Sequence, residues 1–226
     1  MLNRLFEQFD SIIFLDVETS GLDPKEEEII ELGILRVFRD GCGELSEEKV
    51  SLLIRLSEGR QLSGTITKIT GITQAMLDSD GVEKELACDV LTAMFGTGKP
   101  LLVAYNAQFD LCFLYYFLRT FGKEGVMQNV KMLDALTVYK DRRDYPHRLE
   151  NAVAAYALET KNTHRAVDDA IATYSLLCVM EDEQDDLDRY INLFGFNPKF
   201  GVSGPKISSV KYVPQPYTRT QKAYEL

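Results

Sequence analysis

Ser11-Ile-Ile-Phe-Leu-Asp-Val-Glu-Thr19 is the stretch that decides the fold, because an unbroken apolar run leads directly into two acids. Such a run is typical of a strand buried on both faces inside a sheet. Side chains alternate along a strand, so Asp16 and Glu18 point to one face and Val17 to the other. Two ionised carboxylates packed this way repel each other and lose hydration, so they need a cation or a raised pKa. The alternative is that both acids lie just beyond the sheet, in the turn Thr-Ser-Gly-Leu-Asp-Pro.

A second acidic position follows an apolar strand predicted at residues 101–105. The chain then turns at Asn106 into a helix predicted to run to about residue 121. Asn106 suits the N-cap of that helix, and Asp110 then falls in its early turns. The helix dipole favours a carboxylate there, so Asp110 has an ordinary structural explanation beside a functional one. Asn106 has a similar ambiguity, between a helix cap and a ligand contact.

The third stretch, residues 163–177, combines a histidine with two aspartates at the start of a predicted helix. Apolar side chains at helical spacing predict its buried stripe: Val167, Ala170, Ile171, Tyr174 and Cys178. His164 precedes that stripe, and Asp168 and Asp169 follow His164 within about one turn. Periodicity alone does not decide which aspartate faces a site. Read in isolation, His164 is a solvated or capping group.

Taken together, the three stretches resemble the motifs of the DEDD exonucleases, histidine subclass. This is the DnaQ-like superfamily that includes the epsilon proofreading subunit of bacterial DNA polymerase III. The matching motifs are Asp16-Val-Glu18-Thr, Asn106-Ala-Gln-Phe-Asp110, and His164 followed by Asp169 five positions on. Their order and spacing agree with the family over roughly residues 10–182. The resemblance implies a ribonuclease H-like fold and a 3′ to 5′ exonuclease whose catalytic residues are Asp16, Glu18, Asp110, His164 and Asp169.

The resemblance also implies two divalent metal ions, Mg²⁺ or Mn²⁺. Their ligands would be Asp16, Glu18, Asp110 and Asp169, whose carboxylate oxygens are the hard donors that these ions prefer. His164 would act as the general base, because a reference pKa of about 6.5 leaves imidazole partly neutral at physiological pH.

Substrate contacts are expected just after the first motif, where the family meets the 3′ nucleotide. These positions are Thr19, Gly21 and Leu22, and Asn106 joins them if it is not simply a cap. Leu22 either stacks against the terminal base, a contact that tolerates any sequence, or tucks the turn onto the core.

The order of elements predicts the α/β class, with a mixed sheet flanked by helices. Strands are predicted first and helices dominate later, with strands at 11–18, 29–38, 49–55 and 101–105, helices at 82–95 and 106–121, and then three more helices. At 226 residues and 45% hydrophobic content, the chain can bury one substantial core. We predict one ribonuclease H-like domain at 1–194, followed by a Gly/Pro-containing basic extension at 195–226.

Charge argues against simple electrostatic attraction to nucleic acid. The formal net charge is −10, whereas phosphate binding usually depends on Lys and Arg. The extension is the exception, with five Lys or Arg against one Glu. Two interpretations stay open: a free arm that meets nucleic acid or a polymerase subunit, or a segment that wraps the acidic domain.

Cysteine spacing and hydropathy indicate the cellular compartment in which we expect the protein. The four cysteines form no Cys-x-x-Cys pair, so we expect free thiols in a reducing compartment. No stretch is long enough to span a bilayer, so we expect a cytoplasmic protein without a membrane partner.

The expected function is hydrolysis of single-stranded or frayed DNA at its 3′ end, releasing nucleoside 5′-monophosphates in replication proofreading or repair. One alternative is the same chemistry on RNA or short oligonucleotides, since the sequence does not reveal how a 2′-hydroxyl would be treated. Another is a non-catalytic module of the polymerase machinery. The intact set of five residues speaks against that module, because a binding protein has no need to keep mutually repelling carboxylates.

Overall fold

The fold is organised around the strand β1 (Ser11–Thr19), the middle strand of a five-stranded mixed sheet. A computed structural model describes residues 2–160, 165–217 and 221–226. The other strands of the sheet are β2 (Ile29–Arg39), β3 (Leu45–Leu53), β4 (Pro100–Ala104) and β5 (Lys131–Asp134). The strand order is β3-β2-β1-β4-β5, with β2 and β3 antiparallel to their neighbours and β4 and β5 parallel. The sheet confirms the predicted ribonuclease H-like arrangement.

Eight α-helices surround this sheet in the described part of the chain. They are α1 (Asn3–Phe6), α2 (Gly64–Thr70), α3 (Gln74–Asp80), α4 (Lys84–Phe95), α5 (Ala107–Thr120), α6 (Ala135–Lys140), α7 (Leu149–Ala155) and α8 (Ala166–Glu183). Short 3-10 helices lie at Glu124–Met127, Leu187–Tyr190 and Ala223–Glu225. None of the helices in the described ranges is both long and apolar enough to cross a membrane.

Alternation along β1 assigns its side chains to two cores. Ile12 and Phe14 pack into the core that contains α6, α7 and α8. Ile13, Leu15 and Val17 pack into the core that contains α4 and α5. Asp16 and Glu18 have the parity of Ile12 and Phe14, so they emerge on the face that α8 covers.

The C-terminal residues pack against the domain. Strand β6 (Leu193–Phe196) pairs in parallel with β7 (Lys211–Pro214), and the predicted boundary at residue 194 falls inside β6. Gln215 is buried, and its Nε2 donates to the carbonyl of Thr137 (2.8 Å) and to Oδ1 of Asp141 (2.7 Å). The carbonyl of Pro205 accepts a bond of 2.6 Å from Nε2 of Gln108 on α5.

Candidate active site

Three carboxylates meet where β1 ends beneath the first turn of α8. Asp16, Glu18 and Asp169 each offer an oxygen, and these oxygens lie within 4.8 Å of one another. Asp16 and Glu18 reach the site because they alternate with Val17, which is buried on the opposite face. Both are part of the sheet, so they are not residues of the following turn. Asp169 is buried, and its neighbour Asp168 is not a member of the cluster.

Asp110 adjoins this cluster without being one of its three members. It is buried in the first turn of α5, and its Oδ1 accepts the backbone N–H of Val17 at 3.1 Å. That bond joins α5 to β1 between the two acids of the strand. Asp110 also raises the pKa of Asp16 through charge repulsion, so the two carboxyls interact electrostatically.

The electrostatics of the site disfavour ionised carboxylates. Burial, followed by repulsion from Asp110, Asp169 and Glu18, raises the pKa of Asp16 well above its usual range. Burial, with repulsion from Asp169 and Glu31, raises the pKa of Glu18 to about 8, although Arg165 opposes the shift. Burial likewise raises the pKa of Asp110, and the bond from Val17 only partly offsets it. A bound cation would remove this penalty, so the donor set suits a hard divalent ion.

The predicted general base falls outside the described residues. His164 lies between residue 160 and Arg165, where the structure gives no description, so its role stays a prediction.

The predicted substrate positions after β1 form a turn. Thr19 is buried, and its Oγ1 donates to the carbonyl of Gly21 at 2.6 Å. A Cβ on Gly21 would lie 2.7 Å from the side chain of Glu27, so a larger residue here would displace that side chain. Leu22 is 83% exposed and therefore does not tuck the turn onto the core. It borders a cavity of about 510 Å³ whose other walls include Phe109.

Asn106 occupies the N-cap position of α5 but does not cap it through its side chain. Its backbone is left-handed, with φ of 68°, a conformation that Asn tolerates better than most residues. Its N–H donates to Oδ1 of Asp134 at 3.0 Å, so the turn is held through the backbone. The exposed side chain faces no helix donor and lines a cavity of about 510 Å³ together with Tyr105 and Arg148.

Asp134 and Glu31 are two buried acids that the sequence motifs did not assign to the site. Asp134 ends β5 directly before α6, and an aspartate between a strand and a helix is a recognisable N-cap signal. Glu31 carries no helix-cap signal. It is a single acid within the apolar run of β2, and none of its partners is near it in the sequence.

Comparison with known proteins identifies the family. The model of a family described as "Exonuclease" (RNase_T) matches residues 13–177, which is most of the chain. The DNA polymerase III subunit epsilon of Treponema pallidum is 31% identical over 167 residues, covering 73% of this chain and 74% of that protein. DNA polymerase III PolC-type of Thermotoga petrophila is 33% identical over 168 residues, covering 72% of this chain. The match spans only 11% of that longer protein.

A solved structure supports the fold. Escherichia coli exonuclease I in complex with a dT13 oligonucleotide superimposes with a TM-score of 0.70 at 21% identity, covering 80% of this chain and 43% of that one. The family model and the relatives agree with the motifs that β1, α5 and α8 carry. The chain therefore belongs to the DnaQ-like 3′–5′ exonuclease family.

Proposed function

We propose that the protein is a metal-dependent 3′ to 5′ exonuclease that releases nucleoside 5′-monophosphates by a two-metal-ion mechanism. The observation that carries this proposal is the convergence of Asp16, Glu18 and Asp169 within 4.8 Å, in a chain of the exonuclease family. Buried carboxylates that repel one another destabilise a fold, so such a cluster points to a function.

The donor set fits divalent ions such as Mg²⁺ or Mn²⁺. Asp16, Glu18 and Asp169 would hold them, and Asp110 supports the same site from α5. When bound, such ions neutralise charge on the phosphodiester and lower the pKa of water at the site. Asp16 interacts electrostatically with all three other acids, Asp110, Asp169 and Glu18, so a bound ion would relieve repulsion across the set.

His164 is our candidate for the group that accepts a proton from the attacking water. The support is its place in the sequence motif, five positions before Asp169, and the reference pKa of imidazole, about 6.5. The carboxyls of the cluster are poor alternatives, because holding a cation requires them to stay ionised.

The substrate we favour is single-stranded or frayed DNA. Relatives of the chain are DNA polymerase III polypeptides, and exonuclease I, which shares the fold, has been solved with oligo-dT. The exposed Leu22 and the cavity beside it suit apolar stacking with a terminal base, with Thr19 and Gly21 shaping the turn and Asn106 facing the second cavity.

We place the protein in replication proofreading or repair in the cytoplasm, with a polymerase subunit as a partner. The net charge of −10 supports dependence on a partner, because electrostatic attraction to the DNA backbone is weak for such a chain. All four cysteines are free, as a reducing compartment requires.

The two neighbouring aspartates of α8 provide a matched test. We expect Asp169→Asn to lower Mn²⁺-dependent release of mononucleotides from a 3′-labelled DNA oligonucleotide by at least about 100-fold, since metal sites supply several kcal/mol of stabilisation. Asp168→Asn removes the same charge one residue away and should keep activity within about threefold. Equal effects of the two variants would contradict the proposal.

The same assay addresses the base and the substrate. His164→Ala should lower turnover and remove the acidic limb of the pH profile, and an unchanged profile would exclude it as the base. Matched DNA and RNA oligonucleotides, with and without a 3′ mismatch, decide between a proofreading enzyme and an exoribonuclease.

A further inference from the structure

Glu31 is a fully buried acid beside the carboxylate cluster. It lies on β2, directly opposite Glu18 in the antiparallel register, and its side chain is 0% exposed. An ionised carboxylate in such a position is strongly destabilising unless its oxygens are paired. Its partners therefore indicate what this residue does.

Both carboxylate oxygens of Glu31 bind the start of α8. Oε1 accepts a hydrogen bond of 2.8 Å from Nε of Arg165, the N-cap residue of that helix, and Nη2 of the same arginine forms an ion pair with this oxygen at 2.7 Å. Oε2 accepts the backbone N–H of Ala166 at 3.0 Å. This N–H is one of the unpaired donors that every helix start presents, and a negative charge there is favourable.

Gly33 holds the same helix at a second point. It lies two residues after Glu31 on the same face of β2 and pairs with Asp16 in the sheet. A Cβ at this position would lie 2.1 Å from the carbonyl carbon of Ala166 and from the nitrogen of Val167. The backbone of α8 therefore rests directly on the strand, and only glycine permits this approach.

This two-point anchor is one helical turn from the site. The backbone N–H of Asp169 donates to the carbonyl of Arg165 at 3.1 Å, so the two residues are rigidly linked. Any shift of Arg165 moves Asp169 relative to Asp16 and Glu18, which are fixed by β1.

We propose that Glu31 is the positioning residue of the metal site: through Arg165 and Ala166 it sets the place of Asp169 against Asp16 and Glu18. It is not a ligand itself, because both of its oxygens are engaged by α8. The inference rests on the proposed function only in that the three carboxylates bind a divalent ion.

Mn²⁺ binding measured by isothermal titration calorimetry tests the role directly, without relying on activity. Glu31→Gln should weaken binding by about 10- to 100-fold, the range that residues supporting metal ligands usually cover. Arg165→Lys keeps the net charge and loses the two-nitrogen contact, so it should still weaken binding several-fold. That variant separates positioning from long-range attraction of the cation, and it also serves if Glu31→Gln does not fold.

A buried ion pair elsewhere provides the control. Nη2 of Arg142 lies 2.6 Å from Oδ1 of Asp186, and both side chains are almost fully buried. Asp186→Asn should lower the melting temperature but leave the Mn²⁺ affinity unchanged. With Mn²⁺ saturating, the KM of Glu31→Gln for an oligonucleotide should stay as in the wild type while kcat falls.

The outcomes distinguish the two proposals. Absence of Mn²⁺ binding by the wild-type protein would overturn the proposed function and this inference with it. Wild-type binding with unchanged affinity in both Glu31→Gln and Arg165→Lys would overturn the inference alone. If Arg165→Lys lowers the Mn²⁺ affinity only as much as Asp186→Asn does, Glu31 is merely a stabilising residue. That outcome would also overturn the inference.

Discussion

Glu18 is a single side chain on which burial and like charge act together. Its pKa of about 8 lies above the ordinary value of 4.5. Between these values the folded protein binds more protons than the unfolded chain, so this contribution to stability is complete below pH 4.5 and is lost as pH rises through 8. The metal-free protein should therefore become less stable toward alkaline pH.

Melting temperatures in EDTA between pH 5 and about 8.5 measure this loss. Each such carboxyl contributes up to about 1.4 kcal/mol per pH unit. Glu18→Gln should flatten the pH dependence, whereas Glu58→Gln, at an exposed position, should not. Mn²⁺ should reverse the loss by binding the ionised form. A slope that is identical in Glu18→Gln and in the wild type would contradict the assigned burial of this carboxyl.

At the residue scale, the sequence predicted the side-chain positions that strand alternation sets. It did not predict the positions that the packing of α8 sets. Asp16 and Glu18 share a face because a strand has a period of two. The choice between Asp168 and Asp169 depended on the family resemblance, since α8 is buried around much of its circumference. Its fully buried residues include Ala172 and Leu176, outside the predicted stripe, while Ile171 and Tyr174 of that stripe are only half-buried.

At the scale of elements, Asp134 connects two helix starts. Oδ1 accepts the backbone N–H groups of Asn106 (3.0 Å), Ala107 (3.1 Å) and Leu136 (3.2 Å). Oδ2 accepts the hydroxyl of Thr137 at 2.6 Å. One carboxylate thus caps α6 and also fixes the turn into α5, the helix that carries Asp110.

Replacing this carboxylate should weaken both stability and activity. Asp134→Ala leaves buried donors without an acceptor, and we expect a loss of about 2–4 kcal/mol in urea unfolding. Mn²⁺-dependent activity should also fall, because α5 no longer holds Asp110 against β1. Asp40→Ala is the control, since Asp40 accepts two backbone bonds in an exposed turn. An equal loss in the two variants would show that burial and position are irrelevant.

Element bounds were predictable where burial dictates the pattern. Strands β1 and β2 end within one residue of their predicted limits. Strand β3 was predicted at residues 49–55 but runs from Leu45 to Leu53, because its first half is an exposed edge of charged residues without an apolar signal. Strand β5 was missed because it has only four residues, and pairing with β4 decides its conformation.

At the scale of the whole molecule, the C-terminal residues are tied to the site by a series of hydrogen bonds. Gln215 donates to the carbonyl of Thr137, and the N–H of Gly195 donates to the hydroxyl of the same threonine at 2.8 Å. Thr137 in turn donates to Asp134. These contacts favour the wrapping interpretation of the extension, which its apolar residues already made slightly preferable to a free arm.

Two substitutions separate wrapping from a nucleic-acid arm. Gln215→Ala should lower the free energy of unfolding by about 1–3 kcal/mol, because the buried Asp141 loses a donor. Lys211→Ala removes an exposed positive charge from β7 and should leave stability within about 0.5 kcal/mol. If Lys211→Ala instead weakens oligonucleotide binding severely while Gln215→Ala is neutral, the arm interpretation is correct.

The topology also fixes the order in which the site can come into existence. Strand β1 pairs with β2 across a short connection, but its other edge waits for β4, and Asp169 lies later still on α8. During synthesis, Asp16 and Glu18 therefore emerge as hydrated acids on an incomplete sheet. The burial of Asp16 and its repulsion from Asp110 and Asp169 arise only after α5 and α8 have been made, so shorter nascent fragments escape this part of the strain.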